Sequence, residues 1–365
     1  MRFYQNSIIR RLMVISLVLS LLLSGGCTKQ QAGELQSSKD IITITDCVGR
    51  QVKIPQQIER IACLCPESGY ILAMLGKGDK IVAVVNGIKR DIILTDMYPQ
   101  IKEAPVPKTD EVINIEELIR ANPDVVFVKN DLSISGAEAE KMNNSKIPFM
   151  VVDYSSMEEQ QYAIEMIGKV VGAPDKAKQF NEYYQDCIKR VQVQVAGIPV
   201  EERIKVYHSV NEATRTDIQG TLAADWTQAA GAVNVSVNQN LKLLEGSYYA
   251  GLEQILLWDP EVILVNEAGV VNYMLTNKQW SPLKAVKNQR VLQLPSGISR
   301  WGHPSSPETP LAVLWTAKTL YPDKFTDLDM AAETKLFYKE FFNFQLSDDI
   351  VGKIISGEGM RAARQ

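Results

Sequence analysis

Residues 296–306, SGISRWGHPSS, set a planar cation (Arg300), a wide aromatic face (Trp301) and an imidazole (His303) side by side between glycines. An arginine grips a carboxylate or other oxyanion through paired N–H bonds, an indole lies against a flat ring, and a neutral imidazole ligates a metal that has an open coordination position. Together they suit a metal chelate, with His303 as candidate metal ligand; the plainer reading is that His303 hydrogen-bonds within its own loop. The motifs of covalent, hydrolytic or nucleotide chemistry are missing: there is no G-x-S-x-G, H-E-x-x-H or P-loop, and GEGMRA near the C-terminus follows no strand. The chemistry on offer is binding.

Such side chains need a frame. ITITDCVGRQVKIP alternates β-formers around a Val-Gly-Arg turn and reads as a hairpin opening the folded region. RIACLC (60–65), SGYILAMLG (68–76) and KIVAVV (80–85) give strand, helix, strand; a helix over 115–121, strand DVVFVK (124–129), a helix near 136–144 and strand PFMVVD (148–153) come next. A helix over 157–171 ends at GAPD, whose Gly stops it and whose Pro suits the first turn of the next. Phe180, Tyr184, Ile188, Val191 and Val195 then recur at helical spacing, predicting a helix of about 22 residues, roughly 33 Å long. The alternation restarts with IKVYHSV (204–210), LAADWTQAAG (222–231), LEQILLWD (252–259), EVILV (261–265), PLKAVK and RVLQLP (290–295), and closes with helices near 307–320 and 330–343. This predicts an α/β fold of two Rossmann-like lobes with mainly parallel sheets, joined by one long helix that acts as a rigid strut or packs as an ordinary helix.

Two stretches share one grammar. NIEELIRANPDVVFV (114–128) and GLEQILLWDPEVILV (251–265) both read acid, short helix, Pro, second acid, apolar strand, with equal intervals between Glu116 and Pro123 and between Glu253 and Pro260. Two copies are too few for a solenoid and fit two similar lobes. In open α/β sheets ligands sit beyond the carboxyl ends of the strands, so the candidate contacts are the residues just past each strand. The first lobe offers Cys65, Glu67, Lys129 and Tyr154; the second offers Tyr207, His208, Asn266 and the 296–306 loop. Tyr154, Tyr207 and Trp226 also read as core or rim, and Lys129 as a solvated strand end. Cys63 and Cys65 share one face of a strand and read as buried small hydrophobes, with a disulfide or a thiolate ligand as the other possibility.

Across 365 residues, 45% are hydrophobic and 22% charged, and the net charge of −4 is spread without a basic stripe, so no nucleic-acid partner is indicated. Arg2, Arg10 and Arg11 precede an apolar run over 12–23 that is too short to span a bilayer and reads as an export signal. LSGGC (23–27) resembles the lipobox of bacterial lipoproteins, which implies cleavage before Cys27 and its lipidation; a chance cysteine is the alternative. The polar stretch 28–40 reads as a flexible tether of at most about 45 Å.

The opening hairpin, RIACLCPESGYILAMLGKGDKIVAV, the two repeated phrases and the long helix together resemble the class III (helical-backbone) substrate-binding proteins of ABC importers for ferric siderophores, haem and corrinoids, over about residues 41–345. The resemblance implies a cleft between lobes, no catalysis, no intrinsic cofactor, a metal chelate as cargo, and small lobe movement on binding. It also implies that Glu116 and Glu253 dock on the permease of an importer driven by its ATPase; the local alternative is a carboxylate at a helix N-terminus. Ferric siderophore leads the expected cargoes, before haem, cobalamin and a nickel or cobalt chelate, and a monomer lipid-anchored at the outer face of the cytoplasmic membrane is expected. A chelatase-like enzyme on a related two-lobed fold is the rival. The expected divisions are a signal peptide (1–27), tether (28–40), N-terminal lobe (41–155), helical segment (156–200), C-terminal lobe (201–345) and tail (346–365).

Overall fold

In the computed structural model, which describes residues 40–109, 112–130 and 136–362, the chain enters its folded body through an antiparallel hairpin, Ile41–Thr45 against Gln51–Pro55. The export signal, Cys27 and nearly all of the tether lie outside the described residues. The buried Asp46 carboxylate pins the hairpin, accepting from Arg50 N–H (2.9 Å) at its own turn and from Val151 N–H (3.1 Å) on a strand of the first lobe.

The next strand begins a parallel sheet whose order is Ile81–Ala83, Ile61–Cys63, Val125–Lys129, Phe149–Val152. The second lobe repeats it with Val233–Asn234, Lys205–Ser209, Val262–Val265, Val291–Gln293, again all parallel. Numbered along the chain, both sheets run 2-1-3-4, so both have their topological switch point between first and third strands, where α/β folds open a crevice.

Alternation along the strands sorts side chains into two buried layers on each sheet. Val125 and Phe127 face one apolar cluster and Val126 and Val128 another; Val262 and Leu264 face the first of these again, while Ile263 and Val265 face a third cluster confined to the second lobe. Strands covered on both faces read as unbroken apolar runs, which is why VVFV and VILV carry no polar residue. The cluster shared by the two lobes also takes in Cys63, Cys65 and Cys187; all four described cysteines are unbridged, so the two on one strand face are buried small hydrophobes.

The long helix, Pro174–Val195, has the 22 residues expected and buries Ala177, Phe180, Tyr184, Cys187, Ile188, Val191 and Val195 along one side. It packs between the helices Met157–Val170 and Thr309–Leu320, and Phe180 meets Phe341 edge to face at 5.2 Å. The helix is thus packed into the core along its length, as an ordinary packed helix is and as a strut between lobes would be. Among the described residues no helix is long and apolar enough to cross a membrane.

Two regions depart from the expected outline. The segment assigned to a tail forms a helix, Asp348–Ser356, and then runs on to the first lobe. A hairpin, Lys242–Leu244 with Ser247–Tyr249, lies in a stretch to which the sequence pattern assigned no element; its turn residues Glu245 (φ 47°) and Gly246 (φ 70°) are the left-handed pair that tight hairpins require.

Candidate functional site

The repeated phrases fold alike down to single bonds. Helices Ile115–Ala121 and Leu252–Trp258 both end in a left-handed residue, Asn122 and Asp259, ahead of the proline. The acid after each proline then clips the first strand of its sheet: Asp124 accepts from Glu59 N–H (2.9 Å) and Arg60 N–H (3.0 Å), and Glu261 from Lys205 N–H (3.0 Å). Leu118 and Ile255 anchor the helices in the lobe-specific clusters, leaving Glu116 and Glu253 exposed in the first turns. These two acids hold nothing in the fold that their backbones do not already hold.

At the cleft side, the second-lobe switch point is built from loops after the first and third strands. Asn211, left-handed at φ 65°, offers its side-chain oxygen to Arg300 Nη1–H at 2.6 Å, while its own N–H donates to Asn266 Oδ1 at 2.9 Å. Glu267 pairs with the same guanidinium, whose side chain is 11% exposed. The loop that carries Arg300 is locked from below: Ile298 N–H donates to the Tyr338 hydroxyl, which donates to Glu308 Oε1 at 2.6 Å, and Ser299 N–H donates to Glu308 Oε2 at 3.0 Å. Glu308 is fully buried, and burial pushes its carboxyl up to about 7 despite these donors. Gly297 leaves the room: a Cβ there would lie 2.1 Å from Glu308 Oε1 and 2.2 Å from the Tyr338 hydroxyl.

From the first lobe, Tyr70 donates its hydroxyl to Asp91 Oδ2 (2.5 Å), and Asp91 pairs with Arg361. Burial raises the Asp91 carboxyl to about 6, the effect of Arg361 opposing it. Burial, and after it the charges of Arg300, Arg361, Arg215 and Lys129, hold the His303 imidazole well below its ordinary range. His303 is therefore neutral, with Nδ1 turned to Ser305 N–H at 3.2 Å. Beside Lys129, the first-lobe strand ends enclose a recess of about 340 Å³ lined by Cys65, Pro66, Asn86, Lys108 and Lys129 among others. Desolvation raises the Cys65 thiol well above 9, so it lines the recess as a neutral thiol and not as a thiolate.

Of the side chains expected at the ligand, Lys129 and Cys65 line the first-lobe recess, and Arg300 and His303 share the second-lobe loop that follows the strand Val291–Gln293. Trp301 does not offer its face: it is 0% exposed and packs in the shared core behind the loop. Tyr207 points to the other side of its strand, in the second-lobe cluster near Trp258, with its hydroxyl on Ala213 O at 3.0 Å. His208 is fully buried, Nδ1 facing Asp217 Oδ2 at 2.6 Å and its ring edge-on to Trp226. Glu67 is buried beside Tyr154, and with desolvation it raises the Tyr154 hydroxyl well above the usual range. Asn266 is buried and works through Asn211. Among the described residues no three His, Cys, Asp or Glu side chains converge as a metal site. Sequence reading missed Tyr70, Asp91, Asn211, Arg215 and Arg361; only Asn211 carried a local signal, an asparagine just past a strand end.

The family model described as periplasmic binding protein matches residues 61–297, more than half of the chain. The molybdate-binding protein MolA of Haemophilus influenzae is 26% identical over 333 residues, covering 84% of this chain and 92% of its own. An uncharacterized ABC transporter substrate-binding lipoprotein of Bacillus subtilis, YvrC, is 25% identical over 322 residues, covering 86% of this chain and 97% of its own. The solved structure of molybdate-bound MolA superposes with a TM-score of 0.76 over 84% of this chain and 99% of its own, at 24% identity, which speaks for the fold.

Proposed function

The chain belongs to the periplasmic binding protein family, and from that premise we propose that it captures a compact anionic cargo, an oxyanion or an anionic metal complex, between its lobes. As a substrate-binding protein of an ABC importer it is no enzyme, and what it binds is cargo and not a cofactor. The observation that carries the anionic reading is that Arg300 and Arg361, beyond their pairing with Glu267 and Asp91, each keep a buried Nε–H without a partner, and that these arginines with Arg215 and Lys129 add to burial in disfavouring a charged His303. Such a field attracts anions and opposes a bare metal cation at His303. A metal would arrive inside an anionic shell.

Burial of Trp301 and Tyr207 removes the broad aromatic platform that a porphyrin or corrin ring would use. Compact oxyanions therefore rank ahead of ferric siderophores, which led on sequence alone, with haem and cobalamin behind. The cargo bound by MolA makes molybdate the first to try. Delivery comes after capture: the exposed Glu116 and Glu253 meet the permease, and lipidation at Cys27 tethers the body outside the cytoplasmic membrane, in line with the lipoprotein YvrC. Thermal shift and calorimetry against molybdate, an anionic ferric chelate, haem and cobalamin test the reading; an anion at 100 times its Kd adds about 2.7 kcal/mol of stability. Stabilisation by cobalamin alone would refute it.

A further inference from the structure

One segment touches a wall of the candidate site in each lobe. On the second-lobe side, Ser296 N–H donates to Ile354 O at 2.9 Å, tying the helix Asp348–Ser356 to the loop that carries Arg300. Gly357 (φ 73°) then passes so close to the end of the last strand that a Cβ there would lie 2.4 Å from Leu294 O. Gly359 (φ 75°) turns the chain again, and residues 360–362 run beside residues 90–92 of the first lobe, with an antiparallel bridge between Arg361 and Asp91. Ile92 N–H donates to Met360 O at 3.3 Å and Ala362 N–H to Arg90 O at 2.8 Å. The Met360 side chain is buried in the apolar cluster that the lobes share.

The Arg361 side chain fastens this strap to the first-lobe recess. It pairs with the buried Asp91, which also accepts from the Tyr70 hydroxyl on the helix Pro66–Met74, and its Nη2–H donates to Gly87 O at 3.1 Å. Val85, Asn86 and Gly87 line the recess, and so does Pro66, the first residue of the helix that carries Tyr70. Arg361 thus grips the helical turn Asn86–Arg90 directly and the start of the helix through Asp91, two elements that wall the recess. The helix Pro174–Val195 is seated along a continuous apolar seam, whereas the strap is held by a few hydrogen bonds, an ion pair and one buried methionine. A segment held in that way opens locally far more readily than the core around it.

We propose that residues 357–362 are a releasable latch between the lobes, with Arg361 as its positioning residue. Fastened, the latch holds the Asn86–Arg90 wall of the recess in register with the Arg300 loop; released, it lets the two walls part. Arg361 acts on a cargo only through the wall it holds. The latch stands apart from the anionic-cargo reading, since the same bonds set the walls for a cargo of any charge. Opening the cleft then breaks the bonds of the strap and leaves the apolar seam intact.

Amide hydrogen exchange of the purified, cargo-free protein, read by mass spectrometry, tests the latch. Arg361→Gln loses the ion pair and should speed exchange by about tenfold or more in segments 84–92 and 294–303, which lie in different lobes, as well as in the strap itself. Arg361→Lys keeps a charge beside Asp91 but loses the fork that also reaches Gly87, and should give a smaller rise in the same two segments. Should an unpaired Asp91 unfold the protein, Ala362→Pro decides instead: it deletes the N–H given to Arg90 O, leaves Arg361 in place, and should speed exchange in both segments by about threefold. Residues 177–191 of the long helix should keep their wild-type rate in every variant. Faster exchange confined to residues 355–362, or a rise in 84–92 without one in 294–303, would overturn the latch. A rise of equal size in 177–191 would overturn it too, because the strap would then be an ordinary part of the core.

Discussion

In the first lobe the third strand, Val125–Lys129, ends at a recess walled by Cys65, Asn86 and Lys129; in the second, its counterpart Val262–Val265 runs into Asn266 and Glu267, which hold Asn211 and Arg300. At the opposite ends of the same strands the lobes are near copies, with an exposed acid, a short helix, a left-handed residue, Pro and a strand-clipping acid in each. Sameness lies on the side where the sequences repeat, and difference lies where a cargo would sit. A partner thus meets two like surfaces, whereas a ligand meets two unlike ones: a recess edged by lysines in one lobe and a braced arginine in the other.

The largest effect should come from breaking the like side. Glu116→Gln with Glu253→Gln is expected to abolish uptake in cells while molybdate affinity in solution stays unchanged, because neither acid touches the cleft. Transport at the wild-type rate would remove the docking role. For the unlike side, Glu308 is the handle. Its folded pKa, about 7, stands above its ordinary 4.5, so its stabilising contribution is complete below about pH 4.5 and lost as pH rises through 7, a change of about 3 kcal/mol at most. Urea unfolding of wild type and Glu308→Gln at pH 4.5 and 8 should show the difference shrinking by that order; parallel curves would mean that the loop is not braced by a buried acid.

Finer contrasts separate the copies. Asp124→Ala should cost about 2 kcal/mol and Glu261→Ala about 1, since the first acid accepts from two backbone N–H groups and the second from one. The smallest concerns the helix starts: Asn114 accepts from Glu117 N–H at 3.1 Å, whereas Gly251 has no side chain to cap with. Asn114→Ala should therefore lose about 1 kcal/mol, and Gly251→Asn should gain a few tenths. Equal responses at the two positions would mean that the cap is idle in both.

Much of this frame was legible in the residues. The runs VVFV and VILV, the Pro after each short helix and the spacing of Phe180, Tyr184, Val191 and Val195 set strands and helices near their observed bounds, because local patterning and tertiary burial agree there. Of the candidate contacts, Arg300, His303, Lys129 and Cys65 do stand at or just past strand ends, as the alternation of strands and helices places them. Trp301, offered as an open aromatic face, is buried behind its loop, which no local pattern encodes, and Tyr207, read as core or rim as well as contact, is core. Arg361 was out of reach for another reason: its partner Asp91 lies 270 residues away in the chain, and no local pattern encodes such a meeting.

The apolar cluster shared by the two sheets has a consequence of its own. Val125 and Phe127 from one half and Val206, Val262 and Leu264 from the other belong to a single continuous interior, with the aromatic seam of Phe180, Phe337 and Phe341 between them. Neither half can expose its share without stripping the other, so heating should yield one calorimetric peak whose van't Hoff and measured enthalpies agree. Duplicated in outline, the body melts as a unit.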